Sequence, residues 1–334
     1  MLNIAVPRQT SSVTKHPLRF RFEVTSNCSF KCQHCYLGQE TLSLPDLPLA
    51  DVKEIIDKIT AGPPVKILFQ GGEPFERSDL FEILAYARSK GAAVSLDTNA
   101  WHLNDQKIRK LKEMDVESIN ITIYGFTAGV NDSFTRAGHF QHIQHILTVA
   151  KKINLRIHLA LLVTRRNFCQ FFAISRFARE YGIKKIHVDV FLAAPNFPHR
   201  EKYQLNTPQF IVFWAMIRPF LKLSSLRPHL MRGTSPRPSA EVSICDANRF
   251  PLIKPNGNLW PCLFYAASMG NILHEAPDDL WSKLAHFNFE ERLCCLCLEK
   301  KMDRIGQKIM SSNKKAARLI LRIYRFYVRI MRSI

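Results

Sequence analysis

Between residues 20 and 192, short apolar segments alternate with helix-length segments. This alternation constrains the fold of the 334-residue chain more than any other feature. Strands are predicted over 20–25 (FRFEVT), 65–70 (VKILFQ), 92–97 (AAVSLD), 118–123 (SINITI), 155–163 (LRIHLALLV) and 185–191 (KIHVDVF). Each is short, apolar and bounded by turn residues or charges. Helical patterns fall between them near 50–61, 78–89, 105–113, 139–152 and 168–182. Regular alternation implies parallel βα units. Six such units are too few to close an ordinary eight-stranded barrel. The expected class is therefore α/β, an open, partial six-stranded parallel β/α barrel. Loops after the strand C-termini should carry the chemistry, as in closed barrels.

The composition shifts near residue 193. APNFPHR and RPHLMRGTSPRPSA are Pro-rich and basic and read as connecting segments around a helix over 208–222. Residues 248–266 read as a β-hairpin turning at Asn256-Gly257. From Lys314 the chain reads as one helix, with Lys315, Arg318, Arg322, Arg325, Arg329 and Arg332 on a single stripe and large apolar residues around the rest. That is a basic amphipathic helix. The resulting division is an N-terminal extension (1–19), the partial barrel (20–195), a basic Pro-rich linker with a helix (196–242), a small cysteine-bearing domain (243–303) and the terminal helix (304–334).

The chain has nine cysteines: three at 28–35, one at 169 and five at 245–297. The N-terminus lacks the apolar stretch of a signal peptide, and no apolar run approaches the ~18–20 residues needed to cross a bilayer. A cytoplasmic protein is expected, and there reduced thiols argue for metal rather than disulfides. Two metal sites at opposite ends of the chain fit the distribution. Cys169, in RRNFCQFF, reads as a buried helix residue. The formal charge is +19, and residues 304–334 hold nine Lys/Arg and no acid. A surplus of this kind suits an anionic partner, either an acidic peptide, a membrane surface or nucleic acid, or simply keeps the protein in solution.

In TSNCSFKCQHCYLG, Cys28, Cys32 and Cys35 form CxxxCxxC directly after the first strand. Close spacing lets one loop wrap an iron–sulfur cluster, and three thiolates on a four-iron cube leave one iron open. A structural zinc loop on the same cysteines with His34 is the alternative. The second strand ends in GGEP, Gly71 to Pro74, where two glycines let the backbone approach a ligand closely and Glu73 can accept from an ammonium group.

Over residues 20 to about 192 these motifs resemble the radical S-adenosylmethionine (SAM) superfamily. The resemblance implies a [4Fe–4S] cluster on Cys28, Cys32 and Cys35 whose open iron chelates SAM. Its reductive cleavage gives a 5′-deoxyadenosyl radical that abstracts hydrogen from the substrate. It further implies that Gly71, Gly72, Glu73 and Pro74 hold the SAM amino group. His34 stands where the family usually has an aromatic residue, and Tyr36 follows the third cysteine as a cofactor neighbour. Thr98-Asn99-Ala100 stands where the family often has TNG, which brings Asn99 to the cofactor. The segment NITIYGFTAGVNDSFTRAGHF would place Thr122 at the SAM ribose and Arg136 at its carboxylate, which a guanidinium fork suits. Asn167 reads as a cap for the helix that follows.

Cys245 and Cys262 enclose a Cx11Gx4C hairpin, and Cys294, Cys295 and Cys297 follow in LCCLC. By chemistry alone four of these thiolates could hold a cluster or zinc. The hairpin resembles the start of the SPASM/twitch extension of peptide-modifying radical SAM enzymes. This implies an auxiliary [4Fe–4S] cluster on Cys245, Cys262, Cys294 and Cys297, although the middle CxxCx5CxxxC string is missing. Cys295 is then a spare ligand or a hydrogen-atom donor. Leu263 replaces the Asp that follows the second hairpin cysteine in sulfatase-maturing enzymes, which argues against that activity. The expected function is modification of a ribosomally made peptide by epimerisation or a C–C or C–S crosslink, with tailoring of a small molecule or cofactor precursor as the rival. A barrel beginning near residue 20 leaves the leader to a separate leader-binding protein or to the C-terminal region. A flavodoxin or ferredoxin is the expected electron donor. An anionic membrane surface is a further expected contact of the tail, ahead of nucleic acid.

Overall fold

The computed structural model describes residues 16–32, 34–35, 37, 45–191, 200–206, 209, 212–213, 250–261 and 268–286. Several expectations lie outside these residues. They concern Tyr36, Cys245, Cys262, Cys294, Cys295, Cys297, most of the 208–222 segment and the basic helix from Lys314. Among the described residues no helix is long and apolar enough to cross a membrane.

Six parallel strands run in sequence order: β1 (Arg19–Thr25), β2 (Lys66–Gly71), β3 (Ala93–Thr98), β4 (Ser118–Ile123), β5 (Ile157–Val163) and β6 (Ile186–Val190). The fold is the α/β partial barrel expected. Helices α1 (Leu49–Thr60), α2 (Leu80–Ser89), α3 (Asp105–Glu113), α4 (Ala128–Asn131), α5 (His139–Lys152) and α6 (Ile174–Glu180) lie between them. A one-turn helix, α7 (Arg200–Tyr203), follows β6. Helix α1 buries Val52, Ile55, Ile56 and Ile59, the i, i+3, i+4, i+7 pattern of a one-sided helix. Asn104 starts α3 by accepting from the Lys107 amide at 2.8 Å.

The segment expected as one helix over 168–182 divides into a 3-10 stretch, Phe168–Ala173, and α6. Cys169 lies in the tighter stretch and is exposed, so its reading as a buried helix residue is corrected. The hairpin at Asn256-Gly257 forms as expected, with Gly257 at φ +80. Its strands β7 (Leu252–Ile253) and β8 (Asn258–Trp260) are followed by β9 (Gly270–Asn271) and α8 (Pro277–Ala285). Strand β7 pairs parallel to β1, giving the order β6-β5-β4-β3-β2-β1-β7-β8-β9.

The strands alternate more strictly than their apolar content suggests. Phe20, Phe22, Ile67, Phe69, Val94 and Leu96 are almost fully buried and join one core with the helices, together with their counterparts on β4 to β6. The intervening positions include a polar set, Arg21, Glu23, Gln70, Asp97, Asn120, His158, His187 and Asp189, beside a few apolar residues such as Leu68, Ala160 and Leu162. Period-2 side-chain geometry puts these on the opposite face, the interior of the partial barrel.

Candidate active site at the strand C-termini

The CxxxCxxC loop leaves β1 at Thr25 and lies against the end of β2. The Gly72 amide donates to Thr25 O (2.9 Å) and the Glu73 amide to Asn27 O (2.7 Å). A Cβ on Gly71 would sit 2.2 Å from Thr25 O, and one on Gly72 2.0 Å from Asn27 O. Gly71 also has φ +144. Two glycines are therefore needed here because the cysteine loop passes so close. The close approach read from the sequence is to this backbone.

Glu73 is fully buried and accepts from Thr98 Oγ1 (2.7 Å), the Asn99 amide (2.8 Å) and the Phe75 amide (3.2 Å). Burial pushes its carboxyl up to about 7 despite these three donors. Its place is a tie between the ends of β2 and β3, with one lone-pair position beyond the three used. Pro74 opens a short 3-10 turn, Pro74–Glu76, that carries Glu76 back to accept from the Ser29 amide. His102 lies within 3.3 Å of both Glu76 Oε1 and Ser29 Oγ.

The Thr98-Asn99-Ala100 turn is pinned from α5. His139 donates from Nε2 to Asn99 O (2.7 Å), while its Nδ1 faces Thr135 Oγ1 (2.9 Å) and Asn131 Nδ2 (3.1 Å). His142 Nε2 donates to Ala100 O (3.0 Å). Ala100 has φ +67, a left-handed conformation that favours glycine, which accounts for the glycine common at this position of the resembling family. Asn99 Nδ2 lies 3.9 Å from Cys28 Sγ. Phe30 packs edge-on against His139 (4.9 Å between centroids), and the exposed Arg136 guanidinium stacks 4.5 Å over Trp101 at the same rim. Thr122 faces the interior beside Ala160, one tier below the loops.

Cys28, Cys32 and Cys35 are each partly exposed. Burial pushes Cys28 and Cys32 up to about 12, with Glu73, Glu76 and Cys35 adding to the rise at Cys28 and the other two cysteines at Cys32. The three thiols on one loop fit a [4Fe–4S] cluster. Among the described residues no three His, Cys, Asp or Glu side chains converge on one metal ion. His34 instead packs against Tyr124, Phe134 and Tyr203, at 4.6, 5.6 and 5.7 Å between centroids. Burial lowers its pKa to about 4, so it is a neutral ring within this aromatic cluster.

Asn167 caps no helix. It is buried, accepts from the Thr164 amide (2.6 Å) and donates to Tyr124 O (2.6 Å) and Leu162 O (2.8 Å), joining the loops after β4 and β5. Sequence reasoning missed Glu76, His102, Asn131 and His139. Glu76 alone had a signal, three residues after Glu73 at a strand end.

The interior face forms a second group. Strand register sets Glu23 beside Gln70, Asp97 beside Asn120, and Asn120 beside His158. Continuing the Phe69–Leu96 register by one residue puts Gln70 next to Asp97. Asn120 donates to Asp97 Oδ1 (2.5 Å) and accepts from His158 Nδ1 (3.0 Å), and the His187 ring lies 5.9 Å from that of His158. At the β7 side, Lys254 Nζ is 2.5 Å from the buried Glu23 carboxylate. A polar belt thus crosses five strands beneath the cysteine loop.

Residues 22–178 match the family model described as the radical SAM superfamily. The AdoMet-dependent heme synthase of Methanosarcina barkeri is 26% identical, over 83% of this chain and 85% of that protein. The antilisterial bacteriocin subtilosin biosynthesis protein AlbA of Bacillus subtilis is 25% identical, over 81% of this chain and 61% of that protein. Among solved structures, the fold is similar to anSMEcpe with bound AdoMet and Cp18Cys peptide. The TM-score is 0.68 at 15% identity, covering 95% of this chain and 99% of that one.

Proposed function

With residues 22–178 matching the radical SAM family model, we propose that this chain is a radical SAM enzyme that cleaves SAM reductively and modifies a ribosomally synthesised peptide, by epimerisation or by a C–C or C–S crosslink. Cys28, Cys32 and Cys35 hold the [4Fe–4S] cluster in this reading, and Tyr36, Gly71, Gly72, Glu73, Pro74, Asn99, Thr122 and Arg136 border SAM. When bound, the cluster and SAM supply a 5′-deoxyadenosyl radical that takes a hydrogen atom from the substrate. The chain's own residues register the cysteine loop on the sheet, orient the substrate and line its chamber. Cys245, Cys262, Cys294 and Cys297 hold an auxiliary [4Fe–4S] cluster, and Cys295 returns a hydrogen atom if the reaction is an epimerisation. An electron donor such as flavodoxin or ferredoxin, and a separate leader-binding protein, complete the system.

The observation that carries the peptide reading is the polar interior belt. A peptide backbone presents N–H and C=O groups that need partners once removed from water. Asp97, which uses only Oδ1 within the belt among the described residues, offers such a partner at the centre of the sheet's interior face. The similarity to AlbA and the +19 charge support the same reading, since an acidic leader would be attracted to a basic protein. A second reading, tailoring of a cofactor precursor such as a carboxylate-bearing tetrapyrrole, is favoured by the similarity to the M. barkeri heme synthase along most of both chains.

One experiment separates them. The protein is coexpressed anaerobically with short peptides encoded beside its gene, and the purified enzyme is incubated separately with Fe-coproporphyrin III. A mass or stereochemical change confined to one peptide is expected. An unchanged peptide together with loss of carboxyl groups from the porphyrin overturns the peptide reading in favour of the second.

A further inference from the structure

We propose that Asp97, at the centre of the interior belt, accepts a hydrogen bond from a backbone N–H of the substrate peptide, with Asn120 and His158 as positioning residues that hold its carboxylate. This inference rests on the peptide reading above.

The inside of a parallel β/α barrel is ordinarily filled by branched apolar side chains. Here the same tier of successive strands carries Glu23, Gln70, Asp97, Asn120 and His158 instead. Polar groups in such a place are stable only when partnered. Most of the belt is partnered internally. His158 Nδ1 donates to Asn120 Oδ1, whose amide nitrogen donates to Asp97 Oδ1. The string runs in one direction and ends on Asp97. Among the described residues no hydrogen bond reaches Asp97 Oδ2. Asp97 is half-buried, so this oxygen opens onto the chamber rather than into the core.

Position gives the acceptor its meaning. Asp97 precedes Asn99 by two residues, and Asn99 Nδ2 lies against Cys28 Sγ. Two residues along a strand span about 7 Å. A peptide amide held by Asp97 therefore places its flanking Cα atoms between the belt and the cysteine loop. A carboxylate accepts an N–H more strongly than a neutral group does, and string polarity fixes which oxygen is offered. Asn at position 97 would keep the size and still accept from Asn120. It would present an amide N–H to the substrate N–H, donor against donor.

The test uses the reconstituted holoenzyme and the precursor peptide that changes mass in the coexpression experiment, labelled with fluorescein for anisotropy. Asp97→Asn should weaken peptide binding about tenfold, or more, and lower product formed per 5′-deoxyadenosine by a similar factor. Asp97→Glu should restore part of both. His158→Gln should raise KM with little change in kcat, as befits a residue acting through Asp97. A scan of single backbone N-methylations through the peptide should find one position whose methylation weakens binding to wild type but not to Asp97→Asn. If Asp97→Asn fails to retain iron, the scan on wild type carries the test: one sensitive amide is expected, and uniform binding overturns the proposal. Equal binding and equal product per 5′-deoxyadenosine in Asp97→Asn and wild type also overturn it. If wild type forms 5′-deoxyadenosine but changes no peptide, the peptide reading fails, and this inference with it.

Discussion

The two faces of the same six strands are built from opposite chemistry. On the helix-packed face Phe20, Phe22, Ile67, Phe69, Val94 and Leu96 are essentially inaccessible to water. On the interior face, one residue away along each strand, stand Glu23, Gln70, Asp97, Asn120 and His158. The first face accounts for why the chain folds, because burial of apolar area against the helices is the main favourable contribution. The second makes no comparable contribution and is explained by what it contacts. At the rim, where both faces end, Gly71, Gly72 and Glu73 bind the cysteine loop to the sheet. Folding and chemistry are thus divided by strand period, with the rim as the joint between them.

The largest expected effect breaks the joint. Gly72→Ala places a Cβ about where Asn27 O now lies, and neither group is a flexible side-chain end. The loop must shift, and iron binding after anaerobic reconstitution should fall severalfold while the far-UV circular dichroism stays that of a folded α/β protein. Full iron content in this variant would mean that the loop's register does not position the cysteines.

Phe69→Ala attacks the helix-packed face alone. Phe69 is fully buried, and its removal should cost about 3–5 kcal/mol, read as a lower urea midpoint with unchanged slope. A cost below about 1 kcal/mol would contradict the division between faces.

A smaller effect belongs to the interior face. Burial pushes the Asp97 carboxyl up to about 6, against the hydrogen bond from Asn120 and the nearby Arg21, while Asp189 adds to the rise. His158 and His187 face the same space, and burial lowers them to about 3 and about 4, so both are neutral across this window. Asp97 is ionised above its pKa and accepts best there. Peptide binding to wild type should strengthen as pH rises through about 6 and should not follow this course in Asp97→Asn. Parallel pH profiles would remove Asp97 from the contact.

The smallest effect sharpens the account of the rim. Ala100 holds φ +67 with its methyl group buried in the core, so Ala100→Gly relieves left-handed strain but gives up that packing and adds chain entropy to the unfolded state. A net change within about 1 kcal/mol, with SAM cleavage retained, is expected. A large loss of cleavage would show that the buried methyl group is needed to hold the turn beside the cysteine loop.

Much of this was legible in the sequence because local signals agree. The strands lie within two residues of their expected bounds, since turn residues and charges bracket each one, and α3 and α5 coincide with their predicted ranges. CxxxCxxC and GGEP are adjacent in space as their positions after successive strands implied. The belt went unread because the strands were judged by apolar content and not by alternation. FRFEVT and SINITI each carry a second, polar pattern at period 2. Glu76 and His139 were beyond local reasoning. Glu76 meets Ser29 across 47 residues and His139 meets Asn99 across 40, contacts that exist only once the sheet has formed. Cys169 misled because RRNFCQFF looks like a helix, while the chain tightens there into a 3-10 stretch that turns the thiol outward.

The central claim, that the loop at the end of β1 holds the centre that splits SAM, is tested most directly by 5′-deoxyadenosine. Wild type and the Cys28→Ala/Cys32→Ala/Cys35→Ala protein are reconstituted anaerobically with iron and sulfide, reduced, and given SAM. Wild type should bind about four irons more than the variant and form 5′-deoxyadenosine, and the variant should form none. Equal 5′-deoxyadenosine from both proteins, or none from a wild type that holds its full iron, would contradict the account.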